Sequence, residues 1–139
     1  MRAFIGGGNP GCLGPKRLDR IVRAVCANGR PSEFSTEMNP ESLTEDFFPL
    51  FGAYLTRLSM GVQSLDPKAL AFLGRNADMQ QTRRGLELSQ KLKLLNGCDL
   101  SYDLITCLGG FRGRQFLEEH GAKIICDTTD EVYDIIVGK

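Results

Sequence analysis

The chain has 139 residues, the size of one compact domain able to bury roughly two-thirds of its unfolded surface. Seventeen lysines and arginines balance seventeen aspartates and glutamates, so no global field draws in nucleic acid or an anionic membrane, and neither partner is indicated. No apolar run approaches the roughly 18 residues of a membrane span, and the N-terminus lacks the basic-then-apolar order of a signal peptide, so a cytoplasmic protein is expected.

In chain order, Ala3-Phe4-Ile5 starts an apolar strand that runs into Gly6-Gly7-Gly8 and then Asn9-Pro10-Gly11. Glycine lets backbone approach a ligand closely, and such a turn can aim several N–H groups at one anion; an ordinary strand-to-helix turn is the plainer reading. Pro15 suits the first turn of a helix with the apolar stripe Leu18, Ile21, Val22 and Val25, closed by Asn28-Gly29. Glu33 to Met38 predicts a second strand, stopped by Asn39-Pro40. Ser42 with Glu45 matches a capping box and predicts a helix through Phe47, Phe48 and Phe51, kinked or ended early by Pro49.

Leu55 to Val62 predicts a third strand, in which Leu58, Met60 and Val62 alternate with Arg57, Ser59 and Gly61, and Gln63 follows at its end. Asp66-Pro67 starts a short helix through Leu70 and Leu73. Met79 to Leu95 predicts a long helix bearing Leu86, Leu88, Leu92 and Leu95, with Asn96-Gly97 as its stop. Tyr102 to Leu108 predicts a fourth strand, and Gly109 to Arg114 a glycine-rich turn with two arginines. Gln115 to Glu119 reads as a short helix ending at His120, and residues 122–126 as a fifth strand. Thr128 with Glu131 opens a final helix through Val132, Ile135 and Ile136. Strands alternate with helices throughout, which is the grammar of a parallel sheet with helices around it.

Polar groups collect at the downstream ends of these strands, on the rim where α/β folds bind ligands. Glu37 carries two readings, a carboxylate that accepts from both hydroxyls of a ribose or a solvated turn residue. The Gln63 amide offers donors and acceptors without charge, which suits orienting a ligand rather than acid–base work. Arg75 either pairs with a ligand carboxylate through two guanidinium nitrogens or forms a surface ion pair. The cysteines at 12, 26, 98, 107 and 126 form no C-x-x-C pair, and their odd number does not suit a disulfide framework. They are expected to be reduced, mostly buried thiols without a metal role.

Five ordered motifs stand together here: Gly6-Gly7-Gly8-Asn9-Pro10, Glu37 with Asn39-Pro40, Gly61-Val62-Gln63-Ser64, Leu73-Gly74-Arg75, and Tyr102-Asp103-Leu104-Ile105. As a set, over roughly residues 3 to 109, they resemble the radical S-adenosylmethionine (SAM) enzymes of the oxygen-independent coproporphyrinogen III oxidase family, which also contains haem chaperones. The resemblance implies an α/β fold, a partial radical-SAM (β/α) barrel of about five parallel strands alternating with helices. It implies SAM contacts at Gly7, Gly8, Asn9, Glu37, Gln63, Arg75 and Asp103, although threonine is the family's usual residue where Asn9 stands. It also implies porphyrin or haem as the molecule handled.

The family holds a 4Fe–4S cluster on a C-x-x-x-C-x-x-C motif ahead of the glycine motif, and no cysteines of this chain have that spacing. The expectation is therefore residues 1–110 as the SAM-contacting centre of a barrel, inactive alone, with 111–139 a tail of separate character on the same domain. The alternative is a non-catalytic haem-binding module of the chaperone-like branch. A partial barrel leaves strand edges open to self-association.

Overall fold

The computed structural model describes residues 1–75, 78–105 and 118–119. The chain divides into two compact units, Met1–Leu104 and Ile105–Lys139, and every strand and helix named below belongs to the first. Four strands, β1 (Arg2–Ile5), β2 (Glu33–Met38), β3 (Arg57–Gln63) and β4 (Asp99–Leu104), form one parallel sheet whose spatial order is the chain order. Parallel neighbours need a crossover. Helix α1 (Pro15–Cys26) supplies the first, α2 (Phe48–Ala53) the second, and α3 (Pro67–Phe72) with α4 (Met79–Asn96) the third.

The alternation read from the sequence divides the sheet into two faces. Phe34, Thr36 and Met38 on β2 and Leu58, Met60 and Val62 on β3 are buried, while Ser35, Glu37, Arg57, Ser59 and Gly61 are half-exposed. The buried face joins Leu18 and Val22 of α1, Phe48, Leu50 and Phe51 of α2, and Leu92 of α4 in a single core. Each large apolar side chain removed from water there contributes about 2 kcal/mol before the entropy of ordering is counted. The fold class is as expected, an α/β arrangement consistent with part of a radical-SAM barrel. Four parallel strands are described rather than five. The fifth, on 122–126, lies outside the described residues, as do the turn after Gly109, the His120 helix end and the final capping box.

Several local expectations need correction. The Ser42–Glu45 capping box does not form: Thr44 precedes a 3-10 turn over Glu45–Phe47 with no side-chain cap, and Pro49 sits in the first turn of α2, starting that helix rather than kinking it. Ser42 Oγ is instead taken by Asn9 Nδ2 at 2.7 Å, and Glu45 by Lys91 Nζ at 2.7 Å. The third strand begins at Arg57 rather than Leu55, because the Leu55 N–H turns back to the Leu50 carbonyl. The fourth begins at Asp99, not Tyr102, since the Asp99 N–H bonds the Thr56 carbonyl immediately after the Gly97 turn.

Helix α4 keeps its expected length, and Leu86, Leu88 and Leu92 of its expected stripe face the core, while Leu95 does not. Its fully buried residues are Thr82, Gly85, Ser89 and Leu92, whereas Leu95 is 66% exposed. The reason is close approach. A Cβ on Gly85 would lie 2.6 Å from Pro40 Cα and 2.7 Å from Pro40 C, so the helix lies directly against the backbone of the Asn39-Pro40 turn. Small residues permit that contact and leucine does not.

The thiols are also more varied than expected: Cys98 is buried, Cys26 half-buried and Cys12 exposed. Burial pushes the Cys98 thiol pKa up. Among the described residues, no helix is long and apolar enough to cross a membrane.

Candidate functional site

The site lies at the carboxyl ends of β1, β2 and β3. After Ile5 the chain turns through Gly7 and Gly8 at φ +97° and +110°, in the left-handed region that glycine enters without a Cβ penalty. Space is not the constraint there, since a Cβ on either residue would meet nothing within 4 Å. The turn points the Gly7 N–H at Glu37 Oε1, 2.7 Å away at the end of β2. Gly6 is confined differently, because a Cβ on it would run into the Phe4 ring and stand 3.1 Å from the Glu37 carboxylate.

The end of β3 is irregular. The β3–β4 register slips between Gly61 and Gln63, and Gln63 has φ +66°, the one non-glycine residue at positive φ among those described. Bulges and left-handed side-chain-bearing residues cost free energy and cluster where a strand end must aim a side chain. Here the aimed group is the Gln63 amide, whose Nε2 lies 3.1 Å from where a Gly61 Cβ would be. Asn39 Oδ1 is 3.3 Å from the same point and Arg75 Nη2 3.7 Å. Three polar side chains from three segments therefore converge over one missing Cβ.

Arg75 reaches that point through the way α3 ends. The Asp66 carboxylate accepts the Lys68 N–H at the start of the helix, and Gly74, at φ +69°, reverses the chain past its end. The Arg75 N–H then bonds the Leu70 carbonyl at 2.9 Å, and Nη1 donates to the Gly61 carbonyl at 2.9 Å. The guanidinium is anchored to the bulged strand with Nη2 still directed over Gly61.

Of the residues expected from the sequence, Gly7 meets Glu37, and Gln63 meets Arg75 across Gly61. Gly8 lies in the same turn as Gly7. Asn9 comes to the rim with its side chain turned onto neighbouring loops: Oδ1 accepts the Asn39 N–H at 3.2 Å and Nδ2 donates to Ser42 Oγ. Asp103 lies beside Gly61 on the neighbouring strand, as its register partner on β4. It is exposed and accepts from Ser59 Oγ at 2.8 Å.

Three residues at the site escaped the sequence reading: the Asn39 side chain, Gly61 as the point of convergence, and Ser59, the register partner of Glu37. Ser59 and Gly61 were visible as the polar members of the β3 alternation. Asn39 was visible as a member of the Glu37 with Asn39-Pro40 motif, but nothing local gave its side chain a role.

The arrangement offers an anion-accepting turn, a carboxylate, two neutral amides and a guanidinium along one rim. That set suits an amphoteric ligand with a carboxylate and vicinal hydroxyls better than it suits a metal. Among the described residues, no three histidine, cysteine, aspartate or glutamate side chains are grouped to hold a metal ion.

No family model matches the chain. Among curated proteins it is similar to the haem chaperone HemW of Mycobacterium tuberculosis, 42% identical over 76 residues that make up 52% of this chain and 20% of that protein. It is similar to the mitochondrial radical S-adenosyl methionine domain-containing protein 1 of Mus musculus, 32% identical over 120 residues, 84% of this chain and 26% of that one. It is also similar to the oxygen-independent coproporphyrinogen III oxidase of Paracoccus denitrificans, 33% identical over 92 residues, 63% of this chain and 20% of that one. The chain thus spans between a fifth and about a quarter of the length of these relatives. With the parallel sheet, these similarities support a relation of this chain to the radical SAM family that contains the haem chaperones and the oxygen-independent coproporphyrinogen III oxidases.

Proposed function

We propose that the rim of Gly7, Gly8, Glu37, Gln63 and Arg75 binds SAM, and that the protein serves porphyrin or haem chemistry as a relative of coproporphyrinogen III oxidase. The observation that carries this is the convergence of Gln63, Asn39 and Arg75 over Gly61, beside a left-handed glycine turn already bonded to Glu37. SAM fits the donor set. Its carboxylate suits the Arg75 guanidinium, its ribose hydroxyls suit the Glu37 carboxylate, and a side chain at position 61 would occupy the space the ligand needs. In radical SAM proteins the bound SAM is the source of a 5′-deoxyadenosyl radical. These residues bind and orient it, with Gln63 fixing its attitude by hydrogen bonding and Asp103 and Ser59 flanking it on the polar face.

The 4Fe–4S cluster of the family is a different matter. Cysteines 12, 26, 98, 107 and 126 lack the three-thiolate spacing, so these 139 residues do not fit the cluster. A second reading, a haem-binding module, is favoured by the 42% identity to a protein named as a haem chaperone.

Calorimetric titration of the chain with SAM, repeated on Glu37→Ala, tests the first reading. Saturable binding that the substitution abolishes supports the rim, and absence of binding by wild-type protein counts against it. Titration with haem, followed by the Soret band, tests the second, and an unchanged free-haem spectrum would dismiss it. A cytoplasmic location and self-association through an outer strand belong to the same proposal. Sedimentation velocity across a concentration series tests the association, which a concentration-independent monomer would refute.

A further inference from the structure

The resemblance counts Asn9 among the ligand contacts, but its side chain is engaged elsewhere. Oδ1 accepts the Asn39 backbone N–H at 3.2 Å, and Nδ2 lies 2.7 Å from Ser42 Oγ and 3.2 Å from Cys12 Sγ. An amide has one acceptor oxygen and two N–H donors, so the group is satisfied by the protein itself. The two partners on the far loop are 30 and 33 residues away in sequence. The loops touch: Gly11 is buried, and a Cβ on it would lie 2.6 Å from Ser42 Cβ and 3.1 Å from Asn9 Oδ1. On its other side the same Asn39-Pro40 turn rests on Gly85 of α4.

We infer that Asn9 is a positioning residue, a clip that binds the glycine turn after β1 to the Asn39–Ser42 turn after β2 and so holds Gly7 against Glu37 before any ligand arrives. The inference rests on the reading of the rim as a SAM site but concerns the free protein. Without the clip, no hydrogen bond among those described joins the two turns, and the Gly7–Glu37 bond ties the glycine turn only to β2 itself. Each turn then moves independently, and a ligand must order them both on binding, which weakens affinity without removing any group that touches it.

The test uses the intact chain and two readouts. Amide-proton exchange by NMR is compared at Asn39 and Gly7, with Leu58 and Met60 on β3 as internal references. Asn9→Ala should raise exchange at Asn39 about fivefold or more, the loss of one ordinary hydrogen bond, and speed Gly7 while the β3 amides stay unchanged. Asn9→Asp should restore near wild-type exchange at Asn39, because a carboxylate still accepts that N–H and the Ser42 hydroxyl can rotate to donate. Ser42→Ala, which removes one anchor and is mild enough to fold, should give a smaller rise.

In parallel, SAM affinity measured by calorimetry should fall about fivefold in Asn9→Ala and recover in Asn9→Asp. Unchanged exchange at Asn39 in both Asn9→Ala and Ser42→Ala would overturn the clip. Lost SAM affinity with unchanged exchange would overturn it too, by making Asn9 a direct contact. If wild-type protein takes up no SAM, the SAM reading fails while the exchange rates still decide the clip.

Discussion

Gly85→Ala is expected to destabilise this protein, against the usual preference of helices for alanine. Residue 85 is buried in the middle of α4, where alanine would ordinarily gain about 1 kcal/mol over glycine. Here the new methyl would stand 2.6 Å from Pro40 Cα and 2.7 Å from Pro40 C, with the Pro40 carbonyl oxygen nearer still. Ordinary contact requires roughly 1 Å more, and the obstacle is backbone packed between a helix and a strand end, so either α4 or the turn must shift. Overpacking of this kind costs about 1–3 kcal/mol, leaving a net loss of up to about 2 kcal/mol and a fall in Tm of up to about 9 °C for a unit of this size. Gly52→Ala is the control, because the nearest atom to a Cβ there is Asn96 Nδ2 at 2.7 Å, the end of a side chain that can swing aside. Thermal and urea unfolding followed by circular dichroism would measure both. A Gly85→Ala protein as stable as wild type, or one that loses no more than Gly52→Ala, would refute the close approach of α4 to the turn. The same shift displaces Glu37 and Asn39, so SAM affinity should fall with stability.

Gln63→Gly relieves a left-handed residue and should raise stability by up to about 1 kcal/mol while weakening SAM binding, and a variant that loses stability would argue against the strain. The Glu45–Lys91 pair lowers the Glu45 pKa, chiefly through the hydrogen bond from Lys91 and then its charge, so its small stabilisation is present above the unfolded carboxylate value of about 4.3 and fades as pH falls through the lower folded value. Lys91→Ala should therefore narrow the difference in Tm from wild type as pH drops from 7 toward 3, and a difference that does not change with pH would exclude the pair as its source. Alkylation by iodoacetamide followed by mass spectrometry should, among the described cysteines 12, 26 and 98, modify Cys12 first and Cys98 last in the native protein, the latter being buried with its thiol pKa raised; the reverse order would contradict the fold.

What could be read from the sequence was what depends on periodicity and on residues with one dominant use. The β3 alternation placed every core residue of that strand, Asp66 and Gly97 marked helix ends that the structure keeps, and the glycine run marked a turn. Residues with several possible partners were harder to place. Ser42 and Glu45 had the spacing of a capping box, but a 2.7 Å bond from Asn9 and a 2.7 Å bond from Lys91 outcompeted the local cap. The apolar stripe of α4 held at Leu86, Leu88 and Leu92, but close approach to Pro40 also buried the small residues Thr82, Gly85 and Ser89, which no apolar pattern marks, and Leu95 was left in solvent. At the rim, Glu37, Gln63 and Arg75 were visible as motif residues, while the convergence on Gly61 depends on a bulge that no local pattern announces.

The connectivity explains why the rim and a polar face occur together. When strand order equals chain order and every crossover has the usual right hand, each helix lands on the same side of the sheet. One face is then fully packed, as Phe34, Met38, Leu58 and Met60 are, and the other is left without helices of these crossovers. A parallel strand buried on both faces would be a continuous apolar run, yet β2 and β3 alternate, placing Glu37, Ser59 and Gly61 on the uncovered side with Asp103 beside them. A sheet wound in one direction curves toward its uncovered face, which in a (β/α) barrel is the interior, and ligands meet that interior at the carboxyl ends of the strands. The polar half of the alternation and the irregular end of β3 are therefore parts of one design: the first forms the uncovered face and the second places Gln63 and Arg75 at its carboxyl edge.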